Sequence, residues 1–439
     1  MNAVPVLDRI AASHARRAPS LAGGAAWARR RREALGRLVA RGLPDRRDEN
    51  WRYLDHARVG EYAFESEPAG RVEAAAVAAR LLGLDGALRV VLVDGRFDAA
   101  LSSGAADGIE VTDLAGLIER DPAGAIALMR VPGDDPDDRY ALLADAFAGG
   151  GVVIRLAAGR QLEVPLYLAH VASAAAPGVH HARVVVEAGP GSRMTLVEHF
   201  VALGNADVLG NLAAEISVGE GATLGHVRLH QHGASAAQVE TCVVRAAARS
   251  RYEQHLLALG GRLLRSNLGL DLDGARAACR LDGLFLADGE RQVDLLTRVR
   301  HRGAATETAQ EYRGIATARG RGAFNGHIAV EPTARGSNAS QSSRNLLLSP
   351  LAEINARPQL EIGIDEVQCR HGATTGSLDE GQLFYLRSRG LDEAAARAVL
   401  TFAFCRDVIG RVPVAAVRDA AEALIAGALP DRDLIRGTG

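Results

Sequence analysis

Cys369 and His371 stand two residues apart in the stretch VQCRHG, which has strand character. A strand projects residues i and i+2 from one face. Val367, Cys369 and His371 then share a face, and a thiolate and an imidazole point together as a metal site needs. Two ligands make half of a tetrahedral set. Either the pair is structural, a buried thiol beside a hydrogen-bonded histidine, or other groups supply the rest. A C-x-H is short and common, and spacing alone favours the structural account. A second constellation, GHVRLHQHG, puts His226, Arg228, His230 and His232 on one face and Val227 and Leu229 on the other. It could bind a divalent metal, but no carboxylate or cysteine close by in sequence completes the set. It reads instead as a polar outer face or a subunit contact. Glu198-His199, His301 and His327 could each supply a base, yet no Ser/Asp partner can be assigned to them. Asp271, Asp273, Asp282 and Asp294 could form the carboxylate cluster of a polysaccharide-cleaving enzyme, although such residues more often mark turns and solvated faces. Cys405 reads as core, and nothing raises Cys242 or Cys279 above ordinary thiols.

Composition narrows the chemistry further. The chain has 439 residues, and all 51 basic residues are arginine. A Walker A loop needs its lysine on the terminal phosphates, so a P-loop ATPase is excluded, as are lysine Schiff-base and pyridoxal chemistries. A net charge of −2 gives no global attraction to nucleic acid or to an anionic membrane. There is neither a basic-then-apolar leader nor an apolar run long enough to span a bilayer. Four scattered cysteines make no disulfide framework, and a reducing cytoplasm is the expected location.

Three textures position these residues. Residues 1–150 read as mostly helical, with a helix over 25–40, whose Arg29–Arg32 run is taken as a solvated face, a helix over 72–82, and a hairpin over 89–97 turning at Asp94-Gly95. From 151 to 376, short runs of Val, Ile, Leu and Thr alternate with Gly-centred turns. Glycines 289, 303, 320 and 336 are 14, 17 and 16 residues apart, and Gly191 and Gly221 are 30 apart. Such spacing predicts a parallel β-helix. Gly189-Pro190-Gly191 and Gly219-Glu220-Gly221 lack dinucleotide spacing and read as turns, and Asn325-Gly326 is the one clear hairpin dipeptide. From 377 to 439 three helices follow. The first opens with a capping box at Ser377–Glu380 and ends at Gly390, the second has apolar positions 391, 395, 398, 402, 405 and 409, and the third spans 414–428 before a frayed tail.

Four segments carry a family resemblance: HRGAATETAQEYRGI (301–315), FNGHIAV (324–330), RNLLLSPLAEINARPQLEI (344–362) and VQCRHGATTGSLDEGQLFYLRSRG (367–390). In length and order they resemble the C-terminal region shared by the SufB/SufD scaffolds of iron–sulfur cluster assembly. RGLPDRRDENWRYLD (41–55) is similar to the N-terminal signature of the SufD type, and HGAT after the cysteine also favours that type, since the SufB type tends to carry Glu after the His. Arg313 and Arg344 stand where relatives usually have lysine. The resemblance implies a right-handed parallel β-helix flanked by helical domains. It implies a non-catalytic scaffold that pairs with a SufB paralogue and docks the ATPase SufC through its C-terminal helices, where Leu383, Phe384, Leu386, Arg387 and Phe402 are the candidate contacts. His371 first, and Cys369 second, would ligate a transient iron–sulfur cluster completed by the partner, and the isolated chain could form a homodimer. The alternatives are a SufB-type paralogue and a carbohydrate-active β-helix enzyme.

Overall fold

The structure is a computed structural model that describes residues 5–62, 64, 71–130, 132 and 135–429. Its centre is the expected parallel β-solenoid, of about eight turns, with helical regions at both ends of the chain. Each coil gives one strand to a ten-stranded sheet and one to a facing nine-stranded sheet. From Gly151 onward, neighbouring parallel strands in each sheet come from successive coils, so hydrogen-bonded partners lie 26 to 32 residues apart in sequence, as in Ala237↔Leu263 and Arg321↔Glu353. The glycine spacing of 14 to 17 is the step from one sheet to the other, half a coil. Gly191 and Gly221 turn with φ of 66° and 67°, where a side chain would be strained.

Alternation along each strand divides its side chains between two environments. In Arg193–Ala202, Met194, Leu196 and Phe200 enter the core between the sheets, whereas Val197 and Val201 face outward. Both outer faces are covered, which is why these strands read as nearly continuous apolar runs. Helices Glu393–Ile409 and Ala415–Ala428 cover the ten-stranded sheet, placing Phe402, Cys405, Val417 and Ile425 against Val227, Leu257 and Leu284. The N-terminal helices cover the nine-stranded sheet, packing Ile10, Leu38 and Leu143 against Leu209, Val239 and Leu263.

The signature at 41–55 is a strap across that second face. Trp51 is fully buried, donates from Nε1 to Asp137 at 2.6 Å and lies under the Arg265 guanidinium at 4.2 Å. Asn50 accepts from Asn325 at 3.0 Å, Gln292 accepts from the Asp55 backbone N–H at 2.9 Å, and Glu49 pairs with Arg357. The strap therefore links coils all the way to the last strand of its sheet, Glu353–Ile362.

Several expectations need correction. Asn325-Gly326 is not a turn but the middle of strand Arg321–Val330: Asn325 is spent on the strap, and Gly326 makes room for a side chain across the interior. The Arg29–Arg32 run is only half solvated, because Arg30 donates to Asp145 through Nε and Nη2, and Arg31 is buried against the Ala148 and Ala22 carbonyls. The cap of helix Glu380–Ser388 is Asp379, which accepts from the Gln382 N–H at 2.7 Å, in place of Ser377. The 72–82 helix is confined to Ala74–Ala78. The hairpin is present, pairing Leu88–Val93 with Arg96–Phe97 around Asp94 and Gly95, both with positive φ, and its longer strand continues the ten-stranded sheet. On the other sheet, Ile109–Asp113 adds an antiparallel strand. The tail beyond 429 lies outside the described residues. Among the described residues, no helix is long and apolar enough to cross a membrane.

Buried histidines give the fold a pH dependence. His199 hydrogen-bonds with Tyr167 at 2.7 Å and Gln231 at 3.1 Å, and His301 with Thr306 and Thr308 at 2.8 Å each. Both are fully buried, and burial pushes each pKa down to about 4. They stay neutral in the folded chain, while the unfolded chain takes up protons below about pH 6.5, so stability falls as pH drops through that value. On the order of 1–2 kcal/mol per histidine is lost between about pH 7 and about pH 5. Urea unfolding should show a lower midpoint at the acid end, and His301→Gln should flatten the dependence.

Candidate functional site

Cys369 and His371 occur on the last coil. Among the described residues, their strand, Gln368–Gly376, pairs only with Asn338–Leu347, and Glu353–Ile362 pairs only with Arg321–Val330. The solenoid thus ends on two unpaired parallel edges, with Leu351 and Ile362 exposed beside them. Because backbone donors and acceptors on a free edge can template another strand, this end is suited to pairing with a second chain.

The two side chains project from one face, as the i, i+2 spacing requires, but they sit in different surroundings. Cys369 is half-buried and packs with Ile328, Val330 and Ala339. Burial raises its pKa, partly offset by a backbone hydrogen bond at Ala339. His371 is exposed and opens onto a groove shared with Arg280, Gln310, Glu311, Gln341 and Arg370. Chemically, the imidazole offers a lone pair at the surface, whereas the thiol must first lose a proton that its apolar contacts help retain. Among the described residues, no three histidine, cysteine or carboxylate side chains stand together as a metal site. Cys242, Cys279 and Cys405 are buried thiols whose pKa values burial pushes up to about 12.

The C-terminal candidates divide by exposure. Leu383 is buried with Leu378 and Ala396, and Phe402 is buried against the ten-stranded sheet. Leu386 is partly buried in the first of these clusters. Phe384 is 74% exposed, its neighbour Tyr385 56%, and Arg387 also faces solvent. Arg313 joins this region to the solenoid: it donates to Asp407 at 2.6 Å and to the Phe404 carbonyl, and stacks over the Phe404 ring at 4.8 Å. A bidentate, stacked contact of this kind needs arginine rather than lysine.

The histidine face is the largest departure from expectation. His226, Arg228 and His230 point into the solenoid, not outward, and each is at most 1% exposed. Coil stacking supplies one carboxylate, Glu198, and the facing sheet supplies another, Glu240, twelve residues after Arg228. Arg228 lies in register with Glu198, thirty residues earlier, and donates to it from Nε at 2.8 Å. Its two Nη atoms donate to both oxygens of Glu240 at 2.7 and 2.8 Å. Glu198 also hydrogen-bonds with His170 at 3.0 Å and His226 at 2.9 Å. Burial acts to raise the Glu198 pKa, but Arg228 and the two histidines outweigh it and hold the carboxyl well below its ordinary value. His230 stacks on Phe200 at 4.2 Å, and Phe200 on His170 at 4.4 Å. The coil period was the signal that could have found Glu198, because adding one coil to 198 reaches 228. The four aspartates are likewise taken up by arginines: Asp271 by Arg300, Asp273 by Arg302, Asp282 by Arg280, and buried Asp294 by Arg265.

A parallel solenoid with a Cys-x-His pair on its open end is the class of protein that the geometry defines. The family described as "SUF system FeS cluster assembly, SufBD core domain" matches residues 170–404. The iron–sulfur cluster assembly protein SufD of Escherichia coli K12 is 30% identical over 378 residues, covering 85% of this chain and 86% of that protein. An iron–sulfur cluster assembly SufBD family protein of Synechocystis is 27% identical over 405 residues, 89% of this chain and 88% of its own. SufD of Bacillus subtilis is 28% identical over 289 residues, 64% and 65% of the two chains. The chain belongs to the SufBD family of iron–sulfur cluster assembly proteins.

Removing one partner of the buried Arg228 network should be costly, because an uncompensated charge stays inside. Glu240→Ala is expected to lower stability by about 3–5 kcal/mol. Glu240→Gln should cost less, since the amide oxygen still accepts one bond. Urea titration followed by circular dichroism would check both.

Proposed function

We propose that this chain is a non-catalytic scaffold subunit in iron–sulfur cluster assembly. It pairs through the open end of its solenoid with a SufB paralogue, and His371, with Cys369 behind it, contributes ligands to a cluster assembled and passed on as cargo. The observation that carries this reading is the place of the Cys-x-His pair. In a chain of this family, a thiol and an imidazole lie on the last strand of the solenoid, whose outer edge is unpaired among the described residues. His371 takes precedence because it is exposed, whereas the Cys369 thiol is half-buried and pushed toward its protonated form.

ATP hydrolysis belongs to a separate subunit in this reading, which agrees with a chain that has no lysine for a Walker A loop. The ATPase SufC docks on helix Glu380–Ser388, where Phe384 and Tyr385 expose aromatic surface that a folded chain rarely leaves uncovered. Leu383 anchors that helix from beneath through Leu378 and Ala396, while Phe402 fixes the next helix to the ten-stranded sheet. The four free thiols suit a reducing compartment such as the cytoplasm.

Two substitutions test the reading after co-expression with the paralogue and the ATPase. Outer-shell changes alone cost metal sites about 10–100-fold, so loss of a direct ligand in His371→Ala should cut iron and sulfide in the purified complex by at least about tenfold, with subunit stoichiometry unchanged. Unaltered iron and sulfide would remove the ligand role. Phe384→Asp, at an exposed position, should abolish retention of the ATPase on immobilised chain without changing the thermal midpoint; full retention would remove the docking role.

A further inference from the structure

Beneath His371 lies a short hydrogen-bonded ladder that ends in an unused acceptor. Thr297, from the nine-stranded sheet, donates from Oγ1 to Gln310 Oε1 at 2.9 Å. Gln341, one coil further on, donates from Nε2 to the same oxygen at 3.3 Å. The Gln341 donor therefore points back into the solenoid, and its own Oε1 is left buried without a partner. A buried acceptor in that state is unfavourable, because its lost hydration is not replaced. The amide of Gln341 occupies the space left by Gly326 across the interior, where a Cβ would come within 1.9 Å of Gln341 Nε2 and push the amide aside.

The next position in this column is His371. It is the register partner of Gln341 on the adjacent parallel strand, on the same inward face, and both line the groove at the open end. Its ring makes no hydrogen bond to the described residues. A neutral imidazole has one N–H and one lone pair, and the partner of the N–H decides which nitrogen is left to bind a metal. In the imidazole itself, Nδ1 adjoins the ring carbon that bears the side chain, and so is the nitrogen nearer its own backbone and the strand paired with it, whereas Nε2 is at the tip of the ring.

We propose that Gln341 is the positioning residue for His371: its Oε1 accepts the Nδ1–H of the ring, fixing the tautomer that leaves the Nε2 lone pair free for a partner-shared metal. The hydrogen bond stands by itself, while its purpose rests on the ligand reading above. Turning the exposed ring toward Oε1 satisfies the last acceptor of the ladder and aims the tip outward. An outer-shell carbonyl behind a metal-binding histidine serves the same end.

The experiment is ring-nitrogen NMR on the full chain labelled with ¹⁵N-histidine at about pH 8, where imidazole is neutral. Signals of His371 are identified by their loss in His371→Ala. The expected result is the Nδ1–H tautomer in the wild-type chain, reverting in Gln341→Met to the Nε2–H form that free histidine prefers. Cluster yield in the co-expressed complex should then drop by about tenfold. An Nε2–H tautomer in the wild-type chain would overturn the proposal, even if His371→Ala removed the cluster and so upheld the ligand reading. If the Nδ1–H form depended on Gln341 while His371→Ala left iron unchanged, the hydrogen bond would stand and the ligand reading would fail. Because the wild-type spectrum decides the main point, the test does not depend on Gln341→Met folding well.

Discussion

Everything in this molecule depends on the parallel hydrogen-bonded stacking of one coil on the next. That register makes each solenoid strand residue a neighbour of the one 26 to 32 positions away, and it decides which chemistry meets which. It brings Glu198 under Arg228, Gln341 under His371 and Ala339 under Cys369. Because the side-chain period of a strand is two, a slip of one residue would turn each of these groups to the opposite face. The helical layers then enforce the register from outside, the strap at 41–55 on one sheet and helix Glu393–Ile409 on the other.

The interior is less apolar than a solenoid core needs to be, and the polar groups in it are organised. Around Arg228, two carboxylates and several neutral histidines form a network in which every charge has an opposite neighbour. Toward the open end, charge gives way to amides and hydroxyls. Thr297, Gln310 and Gln341 lie there, with Asn345 hydrogen-bonded to Ser343 and Thr375. Polar networks in a low-dielectric interior favour one packing arrangement over others, since a shifted side chain leaves partners unsatisfied. The residues at the open end are therefore held by a directional scaffold rather than by apolar packing alone.

The solenoid was legible in the sequence because turn glycines recur at half-coil spacing and apolar runs alternate without helical periods between them. The open-end pair was also legible, both as a C-x-H on one strand face and through the motifs around it. What the sequence concealed was the direction of faces. GHVRLHQHG has a polar side and an apolar side, and a polar side normally faces water. Here the apolar side is buried beneath helices that come nearly two hundred residues later, and the polar side finds its counter-charges in Glu198, one coil earlier, and in Glu240 on the facing sheet. Asn325-Gly326 misled for a related reason. Glycine was required by a glutamine crossing the interior, a demand that no local signal records. Exposure on the C-terminal helices was equally hidden, because Leu383 and Phe384 are adjacent in sequence yet only one of them faces solvent.

The two ends of the solenoid are not equivalent. At its beginning the sheets finish in short antiparallel pieces, the two-residue strand Arg96–Phe97 and Ile109–Asp113. At its end they finish in full-length parallel strands, with no further strand paired to them among the described residues. A solenoid open in this way at both ends could add chains without limit and grow into a fibre, as stacked strands readily do. A single open end per chain would make end-to-end association self-terminating: two chains meeting there would cover the long edges of both, and growth would stop at a pair.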